Sequence, residues 1–302
     1  MQKRYTDFNS YLRSIFGCRV QKITLDAQLG CPNRDGTISS AGCIYCNVKG
    51  SGTGAHALGK SIEQQVAEAK QTLFRRYKAK KFIAYFQSYT NTYAPASKLK
   101  DLYERALSFD GMAGLSVGTR PDCVDDEKLD LLAGYTDRYL VWVEYGLQSA
   151  HDDTLRRINR GHDFAAFENA VQASRKREIN VCAHVILGLP GETKRQMMKT
   201  ARTLSAMDIN GVKIHLLYVV KDTALERLYR QGDYTCLSQE QYVDLVCGFL
   251  ARLRKDIVIQ RLTGDPHPGE LVAPHWAKKK SETLQQINKT LEQKNLCQAS
   301  LV

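Results

Sequence analysis

Between residues 23 and 220 the chain alternates short apolar runs with stretches of helical periodicity, and this limits the possible folds more than any other feature. Apolar runs fall at 23–29, 82–86, 115–117, 139–145, 181–187 and 212–220. The segments between them repeat apolar residues three and four apart. Ile62, Val66, Ala69 and Leu73 do so in one, Leu99, Leu102, Tyr103 and Ala106 in the next, and 127–133, 164–177 and 193–207 fill later gaps. A strand covered on both faces reads as a continuous apolar run, and a helix lying on it carries a stripe of period 3.6. Their alternation implies parallel strands joined by crossover helices. Six such units give an α/β architecture, either an open sheet or a partial barrel, and in both the chemistry sits at the C-terminal ends of the strands.

After the sixth unit the pattern changes. Residues 239–254 read as an amphipathic helix, 256–261 as a final strand, 261–276 (RLTGDPHPGELVAPHW) as a turn-rich loop, and the region of Leu284, Ile287 and Leu291 as a terminal helix. No internal repeat or low-complexity linker divides the chain. The expected organisation is a core over 1–237 and an extension over 238–302 packed on it.

The cysteines carry the chemistry. Cys31, Cys43 and Cys46 stand in CPNRDGTISSAGCIYC, directly after the first apolar run, where such a fold places its site. Three thiolates can hold three irons of a [4Fe–4S] cube and leave the fourth open to an outside ligand, whereas a complete protein cage supplies four. S-adenosylmethionine (SAM) can fill that position through its amino and carboxylate groups. The C-x-x-C pair is equally a zinc half-site, with Cys31 as a third ligand and His56 as a fourth. A redox dithiol fits less well, because the residues after Cys46 are Gly-rich and do not open a helix. A disulfide framework fits worst: nine cysteines in 302 residues are an odd number at ordinary density. Cys18, Cys123, Cys182, Cys236, Cys247 and Cys297 are scattered, several in apolar stretches that suit a small buried hydrophobe.

The N-terminal residues lack an apolar signal core, and no apolar run reaches the length of a membrane span, so a reducing, cytoplasmic setting without a membrane partner is expected. The formal net charge of +11 points to an anionic partner. Basic residues gather at 75–81, 156–160, 175–177, 252–255 and 278–280. One such cluster is ordinarily a solvated helix face; five together favour nucleic acid, with phosphate contacts giving affinity without sequence choice.

Polar clusters fall where strands should end: FQSYTNTY (86–93), GTRPDC (118–123), EYGLQS (144–149) and AHVILGLPGE (183–192). Each alone is compatible with turn chemistry or helix capping. Together with the cysteines, and with CPNRDGT, GCIYCN, LQSAHDDTLRRINRGHD, GLPGE and KIHLLYVVK, they are specific. The chain resembles radical-SAM proteins of the YhcC/YtqA type, relatives of the Elongator-protein-3-like and oxygen-independent coproporphyrinogen oxidase-like enzymes, from about residue 16 to residue 276. The eleven residues between Cys31 and Cys43 exceed the three usual in radical-SAM proteins, and the longer spacing is that of this subfamily.

The resemblance implies a partial (β/α)6 radical-SAM barrel with a C-terminal α/β extension, a [4Fe–4S] cluster on Cys31, Cys43 and Cys46, and SAM as the second cofactor. It implies Tyr45 near the adenine, Gln148 and Arg160 on SAM with Arg160 at the methionyl carboxylate, His184 at the ribose hydroxyls, and Gln87 and Ser88 where a backbone edge receives the methionyl amine. Thr119 and Arg120 end a neighbouring strand at the same mouth. Lys213 and His215 alternate along the sixth strand, so both face one side, as candidates for substrate contact or proton transfer. The YtqA branch implies a reaction on the wobble uridine of tRNA, converting the 5-carboxymethylaminomethyl group to 5-aminomethyl, with a low-potential electron donor such as flavodoxin or ferredoxin. A small metabolite or a protein is the alternative substrate, and a zinc-stabilised RNA-binding module the alternative of another class.

Overall fold

The computed structural model describes residues 3–47, 50, 55, 58–267 and 269–302. Its centre is one seven-stranded parallel sheet: β1 (Val20–Leu25), β2 (Lys81–Phe86), β3 (Met112–Thr119), β4 (Leu140–Gln148), β5 (Asn180–Leu187), β6 (Gly211–Leu216) and β8 (Val258–Arg261), side by side in that order. Helices α2 (Ile62–Tyr77), α3 (Ala96–Leu107), α4 (Asp126–Ala133), α6 (Phe164–Arg175) and α7 (Lys194–Ala206) connect successive strands and cover the outer face. Their starts are written locally. Ser61 and Thr193 close capping boxes with Gln64 and Gln196, and Asp125 and Asp163 cap α4 and α6 through their side chains.

The sheet curls until its edges nearly meet. Lys22 on β1 donates to Gln260 Oε1 on β8 at 2.8 Å, although five strands separate them. At the N-terminal ends of the strands, α1 (Phe8–Phe16) plugs the hollow: Phe8 and Tyr11 each meet Trp142 edge-on at 5.9 Å. The partial barrel is therefore closed by apolar packing at the bottom and open at the top.

Several elements differ from expectation. The first strand is Val20–Leu25, not 23–29, because Asp26 already turns off the sheet with its backbone amide on Gln65 Oε1. The run at 212–220 breaks after Leu216. Val219–Val220 becomes β7, which pairs antiparallel with β9 (Leu271–Ala273) inside the segment read as a loop. Helices α1, α5 (Asp152–Arg157) and α8 (Ala224–Gln231) were not anticipated. The segment after 237 supplies α9 (Gln239–Leu250), α10 (Lys280–Gln293) and also β8, the seventh strand of the sheet. No described helix is long and apolar enough to cross a membrane.

Candidate active site

The cysteine loop is pinned across the top of the barrel. The Ile44 amide donates to the Ile158 carbonyl at 3.1 Å, and the Leu225 amide donates to the Ile44 carbonyl at 2.8 Å. Ile44 and Tyr45 pack on an apolar cluster that includes Leu155, Ile158, Leu217 and Leu225. Asn159 Nδ2 holds the Gly42 carbonyl at 2.7 Å, and Asn33 Nδ2 bonds the Asn159 carbonyl at 2.7 Å while lying 3.6 Å from Cys43 Sγ. Arg34 Nη1 donates to the Cys46 carbonyl at 3.2 Å.

Beneath this loop one cavity opens, lined by Cys31, Cys43, Tyr45, Cys46, Gln87, Thr119, Arg120, Gln148, Arg160, His184 and His215, with Arg34, Tyr85, Glu144, Gly146 and Arg261 among the rest. Most of the residues named from sequence meet here. Two do not line it: Ser88 is fully buried at the end of β2, and Lys213 lies one step deeper than His215 on β6. Gln148 has φ +78° beside a register shift between β4 and β5, the kind of sparsely populated conformation that clusters at functional sites. Arg160 places Nε and Nη2 on the Gly146 carbonyl at 3.0 and 2.6 Å, and Nη1 lies 3.7 Å from Cys43 Sγ. Arg120 forks onto Asp122 at 2.9 and 2.7 Å and reaches the Arg160 carbonyl at 2.8 Å.

Below lies a buried ionic floor that the sequence reading did not assemble. Glu144 on β4 is fully buried and accepts from Lys22, Ser116 and Lys213, and from His184 Nε2 at 2.8 Å. Lys22 also reaches Ser116 Oγ at 3.1 Å, and Lys213 reaches the Tyr85 hydroxyl at 3.0 Å. Burial would raise the Glu144 carboxyl; Lys213, Lys22 and His184 outweigh it and hold the acid well below the usual carboxylate range. Burial, with Lys213 adding to it, pushes His184 down to about 4, and burial pushes Lys213 down to about 7 against the pull of Glu144. The signal was present in sequence: Lys22 in VQKITL and Glu144 in LVWVEYGLQ are charges inside apolar strands, which require buried partners.

The residues fit a cube better than a single ion. Among the described residues, the group of metal-ligating side chains whose donor atoms all lie within 4.8 Å of one another is Glu144, Cys182 and His184, not the three loop cysteines. One tetrahedral zinc with bonds of about 2.3 Å needs its sulfurs roughly 3.8 Å apart, so the loop thiols are too widely spread for it. Glu144, already bound by two lysines, is a poor cation ligand. His56, the fourth zinc ligand considered from sequence, lies outside the described residues. For SAM, the buried Ser88 Oγ and Thr90 Oγ1 at the end of β2 have no hydrogen-bond partner, and the bare Cα of Gly146 leaves room for Arg160 and Gln148.

The basic clusters separate on the structure. Arg175 pairs with Asp208, Arg177 with Asp126 and Asp130, and Arg254 with Asp256, so these are ties of the outer helices. Residues 75–81 lie where α2 enters β2, at the end of the sheet away from the cavity. Around the cavity the described lining holds four arginines (Arg34, Arg120, Arg160 and Arg261) and one acid, Glu144 at its floor.

Residues 28–204 match the family model for the radical SAM superfamily, and 209–293 match that for the radical SAM C-terminal domain. The chain is 41% identical over 291 residues to YtqA of Bacillus subtilis, covering 96% of this chain and 90% of that protein. It is 37% identical over 294 residues to YhcC of Escherichia coli, covering 97% and 94%. In fold it is similar to the archaeal Methanocaldococcus infernus Elp3 (TM-score 0.71, 16% identity), covering 92% of this chain and 64% of that one.

Proposed function

Taking as premise that this chain belongs to the radical SAM superfamily, with YtqA and YhcC among its relatives, and so is an enzyme using a [4Fe–4S] cluster and SAM, we propose that it modifies the wobble uridine of tRNA, converting 5-carboxymethylaminomethyl-uridine to 5-aminomethyl-uridine. The single observation that carries this reading is the shared cavity: three thiols at its rim, polar strand ends around it, and an arginine-rich lining suited to an anionic substrate.

Cys31, Cys43 and Cys46 would hold three irons of the cluster. When bound, the cluster and SAM supply a 5′-deoxyadenosyl radical able to take a hydrogen atom from a carbon beside an amine, a bond unreactive towards bases. The remaining work falls to the chain. Gln87, Thr119, Gln148 and Arg160 would hold the methionyl end of SAM, Tyr45 would flank the adenine, and His184 would accept from the ribose. His184 donates from Nε2 to Glu144, which leaves Nδ1 as the acceptor. Lys213, whose buried setting pushes it down to about 7, can give or take a proton at the substrate amine through the hydroxyl of Tyr85, which lines the cavity. Closing the barrel bottom with Phe8, Tyr11 and Trp142 keeps water out from below. An unstacked anticodon base presented to a deep mouth suits recognition of single-stranded RNA. A flavodoxin or ferredoxin in the cytoplasm is the proposed electron source.

In a strain lacking the gene, tRNA should accumulate the carboxymethylaminomethyl nucleoside at the expense of products derived from 5-aminomethyl-uridine. An unchanged nucleoside profile would remove this substrate.

A further inference from the structure

Arg261 is the one lining arginine that serves neither the cysteine loop nor an acid. Arg34 and Arg160 bond to loop groups, and Arg120 is forked onto Asp122. Among the described residues the Arg261 guanidinium meets the His215 imidazole through Nη2, at 2.8 Å from Nδ1 and closer to Nε2, and its buried Nε has no hydrogen-bond partner. Among the described residues no carboxylate forms an ion pair with it. Arg261 is half-buried with its Nε fully covered, and a cation drawn partly out of water with no counter-charge is costly, so the guanidinium stands ready for an anionic ligand.

The backbone is shaped to aim this side chain. Val258 packs inward with Trp142 and Cys182, Ile259 packs outward in the main core, and Gln260 faces inward to Lys22. Strict alternation would turn Arg261 outward with Ile259. The pairing of β6 with β8 instead passes over Gln260, stepping from Val212 opposite Ile259 to Lys213 opposite Arg261, and the guanidinium reaches the cavity. Bulges re-aim side chains in this way beside sites. Gly264, just downstream, leaves only ordinary van der Waals room for a methyl against His215, and less against the Tyr218 hydroxyl.

We propose that Arg261, seated on His215, is the receptor for a carboxylate carried by the substrate. A guanidinium presents two parallel N–H donors to one carboxylate, and here a single fork is offered, not the converging ring of donors a phosphate takes. The subsite rests on the proposed function only in that the substrate enters this cavity; there it would grip the carboxymethyl group that the reaction removes and set which C–H bond faces the SAM side.

The test uses iron-loaded, SAM-bound protein and two probes of equal size, N-methylglycine and its neutral amide N-methylglycinamide, measured by calorimetric titration. The acid should bind at least about tenfold more tightly than the amide, as loss of a charge-assisted fork implies. Arg261→Gln should abolish the preference, and Arg261→Lys should retain part of it, which keeps the test decisive if the glutamine variant loads iron poorly. Equal binding of acid and amide to the wild-type protein, a preference surviving in Arg261→Gln, or tighter binding of inorganic phosphate than of the acid would each overturn the proposal. Turnover of modified tRNA is scored separately. A preference for the acid without tRNA turnover removes the tRNA reading and leaves the subsite; turnover without the preference does the reverse.

Discussion

His184 Nε2 stands 2.8 Å from Glu144 Oε2, one strand away, and this bond ties the rim of the cavity to its ionic floor. Through Glu144 the same contact reaches Lys213 and Lys22, so strands β1, β4, β5 and β6 share one buried carboxylate.

Removing that carboxylate should be severe. Glu144→Ala or Glu144→Gln leaves the buried Lys213 and the part-buried Lys22 without a counter-charge, and breaking a buried pair costs about 3–5 kcal/mol. Urea unfolding should show a loss of that order for both variants. A loss below about 1 kcal/mol, the value of a surface pair, would mean that the floor is hydrated and the charges are not held as described.

The thiols should divide cleanly by position. Anaerobically reconstituted protein should carry about four irons with sulfide, and Cys31→Ser, Cys43→Ser or Cys46→Ser should each lose most of it. Cys182→Ala should keep it, because that sulfur packs against Trp142 at the barrel bottom. One zinc per chain by metal analysis would contradict the cluster assignment.

A methyl at Gly146 would meet Arg160 Nη2 at 2.6 Å and Gln148 Nε2 at 2.8 Å. Both are ends of side chains that can move, so Gly146→Ala should fold. It should nevertheless bind SAM about tenfold more weakly, ~1.4 kcal/mol, because both groups are displaced. Equilibrium dialysis with labelled SAM checks this, and unchanged affinity would take Arg160 and Gln148 out of the SAM site.

Stability should fall on mild acidification. His184 and His162 are each pushed down to about 4, chiefly by burial, against about 6.5 in the unfolded chain. Between those values the unfolded state binds more protons, so stability rises with pH. The contribution of these two histidines should be complete above pH 6.5, with up to about 3 kcal/mol lost per histidine as pH drops to 4. Denaturant midpoints across that range measure it, and a His184→Gln variant should show a shallower slope.

The alternation of strands with covering helices, and the cysteine loop after the first strand, were legible in the sequence because period and strand-end polarity report them directly, while Gln148, Arg160 and His184, which line the same cavity as Cys31, were singled out by the family resemblance. Three things were not. The helix α1 plug escapes the sequence reading, since nothing in Phe8 and Tyr11 names Trp142 as their partner. Strand β9 is three residues inside a Gly- and Pro-rich stretch, too short for any periodicity. Arg261 depends on a one-residue register shift, which alternation in sequence cannot show because it breaks that alternation. The basic runs misled in part for a related reason: charge along the chain does not reveal the acids that meet it in space, as Arg177 with Asp126 and Asp130 illustrates.

The most direct test is anaerobic incubation of reconstituted protein with SAM, dithionite and tRNA bearing 5-carboxymethylaminomethyl-uridine, with nucleoside mass spectrometry and assay of 5′-deoxyadenosine. The expected result is 5-aminomethyl-uridine appearing as the carboxymethylaminomethyl nucleoside disappears, with 5′-deoxyadenosine released in step. An unaltered nucleoside, with 5′-deoxyadenosine formed equally with and without tRNA, would contradict the account.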